Sequence, residues 1–166
     1  MITLRPLAIS DLDTMTSLVQ NQDVALFIPG MITDRDGTEK WIRNLSDHDH
    51  EFVVMLGEEI IGECSLMENC DGSGEIGIML FPEYWRKGYG MAVIRQLTML
   101  AEKLNVKTLI ATTSRMNKPC IGLLQKVGFK KCAVGWMISE EKIDVPEPFK
   151  ELFGTVMFEK ELTANP

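Results

Sequence analysis

The stretch from Glu75 to Val93 constrains the fold of this chain more than any other. Glu75-Ile76-Gly77-Ile78-Met79-Leu80 alternates as a strand, and Pro82 stops it. Trp85-Arg86-Lys87-Gly88-Tyr89-Gly90 is then a glycine-punctuated loop. Beyond it Ile94, Leu97, Ala101 and Leu104 fall at helical spacing, with Asn105 as a stop. A strand that passes through a short loop into a helix aims the helix's free N–H groups and positive dipole end at the loop. Gly88 and Gly90 permit positive φ and the close approach of another molecule to the backbone. Arg86 and Lys87 add charge. Together these parts predict an anion site suited to phosphate.

Two phosphate-binding loops are excluded. A P-loop ends in Gly-Lys-Ser/Thr, whereas Met91 and Ala92 follow Gly90, and the dinucleotide fingerprint needs a further glycine near Val93. The remaining pattern resembles the acetyl-CoA loop of the GNAT N-acetyltransferases, Gln/Arg-x-x-Gly-x-Gly/Ala. It departs at the first position, where Trp85 replaces Gln or Arg. A Trp there, followed by x-Lys-Gly-Tyr, is similar to the branch that acetylates ribosomal-protein N-termini.

Around that centre the chain reads as one domain over residues 1–166. Ile2 to Leu7 is a first strand, and Ser10-Asp11-Leu12-Asp13 a helix start with Ser10 as cap and Asp13 as its capping-box acid. A second helix covers Gly37 to Leu45. Glu51 to Leu56 and Ile60 to Met67 form a hairpin in which alternation places Ile61, Glu63, Ser65 and Met67 on one face. Lys107 to Thr112 is a further strand, Phe129 to Ile138 another and Leu152 to Phe158 the last, with Pro146 and Pro148 in an irregular loop. Asp47-His48-Asp49-His50 is read as a solvated loop, because adjacent residues rarely converge on one ion. No metal is expected.

Composition narrows the function. The net charge of −7 disfavours nonspecific nucleic-acid binding and suits a cationic acceptor. Basic residues are instead local to the loop, Arg115 and Lys118. There is no apolar run of about 18 residues, so no membrane-spanning helix is expected. Cys64, Cys70, Cys120 and Cys132 lack CxxC spacing and read as free thiols in a reducing, cytoplasmic setting.

A second constellation follows a strand ending at Thr112. Asn117 opens a short helix with Cys120, Ile121, Leu124 and Val127, which Gly128 closes before Phe129. Asn-x-x-small and Leu-x-x-x-Gly-Phe, one helix and one strand after the loop, resemble the other GNAT signature. With the opening Leu4-Arg5-Pro6-Leu7 and its helix, the resemblance covers nearly the whole chain.

The resemblance implies an α/β fold: a mixed, strongly twisted sheet flanked by helices, whose parallel strands Glu75–Leu80 and Lys107–Thr112 splay around the pantetheine arm of acetyl-CoA. It implies that the Leu80 N–H stabilises the oxyanion and that amides from Arg86 through Lys87, Gly88, Tyr89 and Gly90 to Met91 cradle the pyrophosphate. Asn117 would contact the cofactor near its sulfur. An amine of pKa about 10 must first lose a proton. Glu75 is the first candidate base and Glu63 the second. The Tyr that protonates the CoA thiolate in many members is replaced by Leu124, leaving Cys120 or solvent as the acid. The acceptor would be a protein N-terminus, a polyamine or an aminoglycoside-like molecule. The competing reading is an acyl-CoA-binding sensor that has lost catalysis. A homodimer is a further expected partner state, since dimerisation is common in the family.

Overall fold

The computed structural model describes residues 1–28, 34–46, 49–136 and 154–162. In chain order the elements are β1 (Ile2–Pro6), α1 (Leu12–Gln20), α2 (Gln22–Ala25), α3 (Arg35–Arg43), β2 (Asp49–Leu56), β3 (Glu59–Glu68), β4 (Ser73–Leu80), α4 (Tyr89–Lys103), β5 (Thr108–Ser114), α5 (Lys118–Lys126), β6 (Lys130–Trp136) and β7 (Gly154–Glu161). The strands form one seven-stranded mixed sheet in the order β1-β2-β3-β4-β5-β7-β6. Among the described residues only β4 and β5 run parallel. The mixed α/β sheet expected from the sequence is therefore present. The expected loop around Pro146 and Pro148 lies outside the described residues, as do Asp47 and His48.

What positions a site is the seam between β4 and β5. They pair only from Ser73↔Thr108 to Glu75↔Ile110. Beyond that point β4 stays with β3 as far as Leu80, and β5 stays with β7 as far as Ser114. Each follows its own antiparallel partner, so the two parallel strands open as a wedge.

Cores lie on both faces of the sheet. On one, Val93, Ile94, Leu97 and Ala101 of α4 pack with Cys64, Leu66, Ile76, Leu109 and Phe158. On the other, Met15 and Leu18 of α1 and Ile42 of α3 pack with Val53. Met15 is fully buried, so truncating it to Ala removes about 2–5 kcal/mol of stability.

Three sequence expectations change. The helix start is shifted: a 3₁₀ turn over Ile9–Asp11 precedes α1, and the Asp11 carboxylate, not Asp13, accepts from the Ala8 N–H at 3.0 Å. Arg5 decides this by pairing with Asp11 at 2.8 Å, while Asp13 pairs with Arg35 at 2.7 Å. Asp49 and His50 belong to β2 rather than to a loop, and His50 Nε2 meets Glu68 at 3.0 Å. Finally, the β2–β3 register shifts between Val54↔Gly62 and Met55↔Ile60, leaving Ile61 as the extra residue of a bulge. Ile61 therefore joins the α4-side core, while Glu63 stays on the α1 side with its partners Val53 and Met79.

Candidate functional site

The loop between β4 and α4 is held by its own side chains. Tyr84 donates to Glu59 and lies 6.2 Å from Tyr89 by ring centroids, and Lys87 Nζ stands 5.7 Å over the Tyr84 ring. That short bond to Glu59 is the main reason the Tyr84 hydroxyl is pushed up to about 12. Arg86 and Gly88 are both left-handed, at φ 59 and φ 85. Left-handed residues spaced by one curl the backbone so that neighbouring N–H groups line a concavity. Gly88 is the N-cap of α4 and supplies no side-chain cap, so the first-turn N–H groups stay open to a ligand. Gly90 has a different reason from the one read in sequence. Its φ is not positive, and a Cβ there would lie 2.9 Å from Leu123 Cδ2, so it lets α4 approach α5.

Backbone polarity along β4 follows from its register. Phe81 N–H donates to Ile61 at 3.0 Å, which makes the odd residues of β4 the ones bonded to β3. The N–H and C=O groups of Ile76, Ile78 and Leu80 therefore point toward β5. Past Glu75 no β5 ladder meets them, so Ile78 and Leu80 face the wedge. The Leu80 carbonyl accepts the Trp85 indole N–H at 2.7 Å. Trp85, the departure from the loop pattern, thus ties the loop back to the lip of the wedge and packs against both cores.

Across the wedge, Asn117 caps α5 by accepting from the Cys120 N–H at 3.1 Å. Cys120 is half-buried; burial pushes its thiol up, and a hydrogen bond with Thr113 pulls the other way.

The α1-side face of the sheet carries the acids. Glu51 lies opposite Ser65, which lies opposite Gly77; Glu63 lies opposite Met79; Glu75 lies opposite Met67. Glu63 is 3% exposed, and burial, then its hydrogen bond with Glu51, then the charge of Glu51 hold its carboxyl well above the usual range. Among the described residues no Lys, Arg or His pairs with Glu51, Glu63 or Glu75.

Residues 1–130 match the acetyltransferase (GNAT) domain family. The chain belongs to the GNAT acetyltransferases. It is 25% identical over 141 residues to an uncharacterized N-acetyltransferase, p20, of Bacillus licheniformis, covering 78% of this chain and 79% of that one. Its fold matches that of a Vibrio cholerae spermidine N-acetyltransferase solved with CoA and spermine, with a TM-score of 0.79 and 21% identity over 96% of this chain and 95% of that one. It also matches a ribosomal-protein alanine N-acetyltransferase of Escherichia coli, with a TM-score of 0.73 and 16% identity over 100% and 97% of the two chains. At such identities the two structures are alike in fold alone.

The enzyme is accordingly an acetyl-CoA-dependent N-acetyltransferase, and the residues at its wedge fit that group. The uncapped turn at Gly88 suits a pyrophosphate, and the unladdered amides of Ile78 and Leu80 suit an extended amide-bearing arm. A groove of about 640 Å³ runs along α4 past Met91, Arg95, Met99 and Glu102 toward Lys126 and Lys160. Sequence reading does not single out Arg95 and Lys126 of this groove, although Met91, Arg95 and Met99 recur at one helix-face spacing. Nothing local in the sequence marks Glu51 either. The fold brings Leu80, Arg86, Gly88, Asn117 and Cys120 around the wedge. Glu75 sits at its closed vertex.

Proposed function

We propose that this GNAT enzyme transfers an acetyl group to a primary amine on a cationic acceptor. The observation that carries this is the α1-side sheet face, where Glu51, Glu63 and Glu75 stand on β2, β3 and β4, on the β4 side of the wedge, without a basic partner among the described residues. An ammonium group supplies the missing counter-charge. Small polycations and basic protein N-termini both fit, and the spermidine and ribosomal-protein enzymes of like fold act on acceptors of these kinds.

Acetyl-CoA supplies an activated acyl group on a sulfur that leaves readily. The Leu80 N–H would hold negative charge as it develops on the acyl oxygen. Amides from Arg86 to Met91 would hold the pyrophosphate, and Asn117 would lie beside the sulfur with its amide nitrogen free of the capping bond. A carboxylate of the acidic face takes the ammonium proton; the family resemblance nominates Glu75. Cys120, protonated at neutral pH, would return a proton to the departing thiolate, since no Tyr stands at Leu124.

The test is thiol release from acetyl-CoA by the purified protein with spermidine, a basic peptide and an aminoglycoside, alongside calorimetric binding of acetyl-CoA. Release with one amine class establishes the reaction and its acceptor. Binding without release from any amine would replace catalysis with a sensing role.

A further inference from the structure

The carboxyl groups of Glu51 and Glu63 are hydrogen-bonded to each other. Two carboxyl groups can meet so only if one carries the proton. Glu63 is the donor, because it is the more deeply buried and an ionised form there would have no cation to face. Burial holds its carboxyl well above the usual range, so of the two it is the one that keeps the shared proton. Glu51 is the acceptor, and its Oε2 is buried without a hydrogen-bond partner among the described residues. Burial pushes Glu51 above the usual carboxylate range, the bond from Glu63 opposes this, and the charge of Asp49 adds to it.

The register shows where this pair sits. Glu51 and Glu63 stand on neighbouring strands, so their carboxyl groups meet over the β2–β3 strip, whose β3 edge is one strand spacing, about 5 Å, from β4. The β4 residues level with the pair are Gly77 and Met79, in the open half of the wedge. Gly77 leaves the face bare: a Cβ there would lie 2.7 Å from Ser65 Oγ, so the Ser65 hydroxyl leans across the gap. Glu75 is instead level with Ile110 in the closed half, about 16 Å of strand from Leu80.

We propose that Glu51, positioned by its hydrogen bond to Glu63, removes the proton from the acceptor ammonium across the gap at Gly77, with Ser65 as the bridging hydroxyl. This rests on the amine reading above. An N–H bond of the ammonium breaks and an O–H bond forms on Glu51. The freed lone pair then makes the new N–C bond as the C–S bond breaks, and the second N–H proton ends on the thiol. Glu51 returns its proton to solvent. The charged groups facing it are Asp49 on its own strand, Glu63 on β3 and Glu75 on β4. On the packed helices Arg35 pairs with Asp13 and Arg43 with Glu39, while Asp23, Asp36 and Lys40 are exposed, and Arg5 holds Asp11.

The experiment is the pH–rate profile of acetyl transfer to the amine that the panel identifies, for wild type, Glu51→Gln, Glu63→Gln, Glu63→Leu and Glu75→Gln. Glu51→Gln is expected to lower kcat by about 10²–10⁴-fold with acetyl-CoA affinity retained. Glu63→Gln still offers an N–H donor to Glu51. It should shift the acidic limb of the profile and recover much of the rate that Glu63→Leu loses. A kcat for Glu51→Gln near that of wild type, or a larger loss in Glu75→Gln, overturns the assignment. So do equal rates and unshifted limbs for the two Glu63 variants. Infrared spectra give a readout apart from turnover: a protonated-carboxyl band at neutral pH should vanish in Glu63→Gln, and its absence from wild type refutes the pair. Wild type that binds acetyl-CoA but acetylates no amine overturns both readings. That result differs from failure of this one alone, in which Glu51→Gln still turns over.

Discussion

The glycine loop after β4 and the acidic face of β2, β3 and β4 are built in opposite ways. The loop is a run of neighbours from Trp85 to Met91, shaped by backbone angles, ring contacts and one indole bond. The acidic face takes Glu51, Glu63 and Glu75 from three strands and unites them only through register. A local device tolerates change elsewhere in the chain but not within itself. A register-built device holds only while the strands stay aligned, and it carries the cost of burying carboxyl groups.

Gly88→Val tests the local half most severely. A β-branched residue at φ 85 is strained by about 1–3 kcal/mol, so acetyl-CoA should bind about 5- to 150-fold more weakly by calorimetry, with the carboxyl infrared band intact. Affinity within twofold of wild type would mean that the loop's shape is not what binds.

Glu63→Gln tests the register-built half by stability. Unfolded, Glu63 ionises at about 4.3. Folded, it keeps its proton well above that value because it is buried. Between those limits the folded state holds one more proton, so stability falls as pH rises, by about 1.4 kcal/mol per unit. The Gln variant should lack this slope and unfold above wild type at pH 8, by about 2–4 °C for each kcal/mol. Parallel melting curves across pH would place Glu63 in its charged form.

Two smaller changes sharpen the comparison on the cofactor side. Asn117→Ala removes the α5 cap, at about 1 kcal/mol by denaturant melting, and should lower kcat if the amide also serves the sulfur. Trp85→Phe keeps the ring packing but loses the bond to the Leu80 carbonyl. About 1 kcal/mol is expected, and a larger loss of acetyl-CoA affinity than of stability would show that the indole sets the lip of the wedge.

Much of the loop side is legible in the sequence alone. Strand, loop, helix and the Asn117 cap are contiguous, and each rests on chemistry that operates within a few residues: glycine's angles, a helix's open N–H groups, an amide's reach. Even there Gly90 does not take the positive φ that the sequence allows it, and its packing role is hidden because Leu123 becomes its neighbour only when α4 meets α5. The acceptor side was far less visible. Glu51 read as the first residue of a strand and Ile61 as a face-mate of Glu63, since alternation cannot see a bulge.

The residues alone dictated the α/β pattern, the anion loop and the family, because periodicity and short-range backbone chemistry are written along the chain. The tertiary structure decided where the wedge opens, which glycine serves packing and which acids share a face. Those depend on strand register and burial, and both arise only when distant segments are brought side by side.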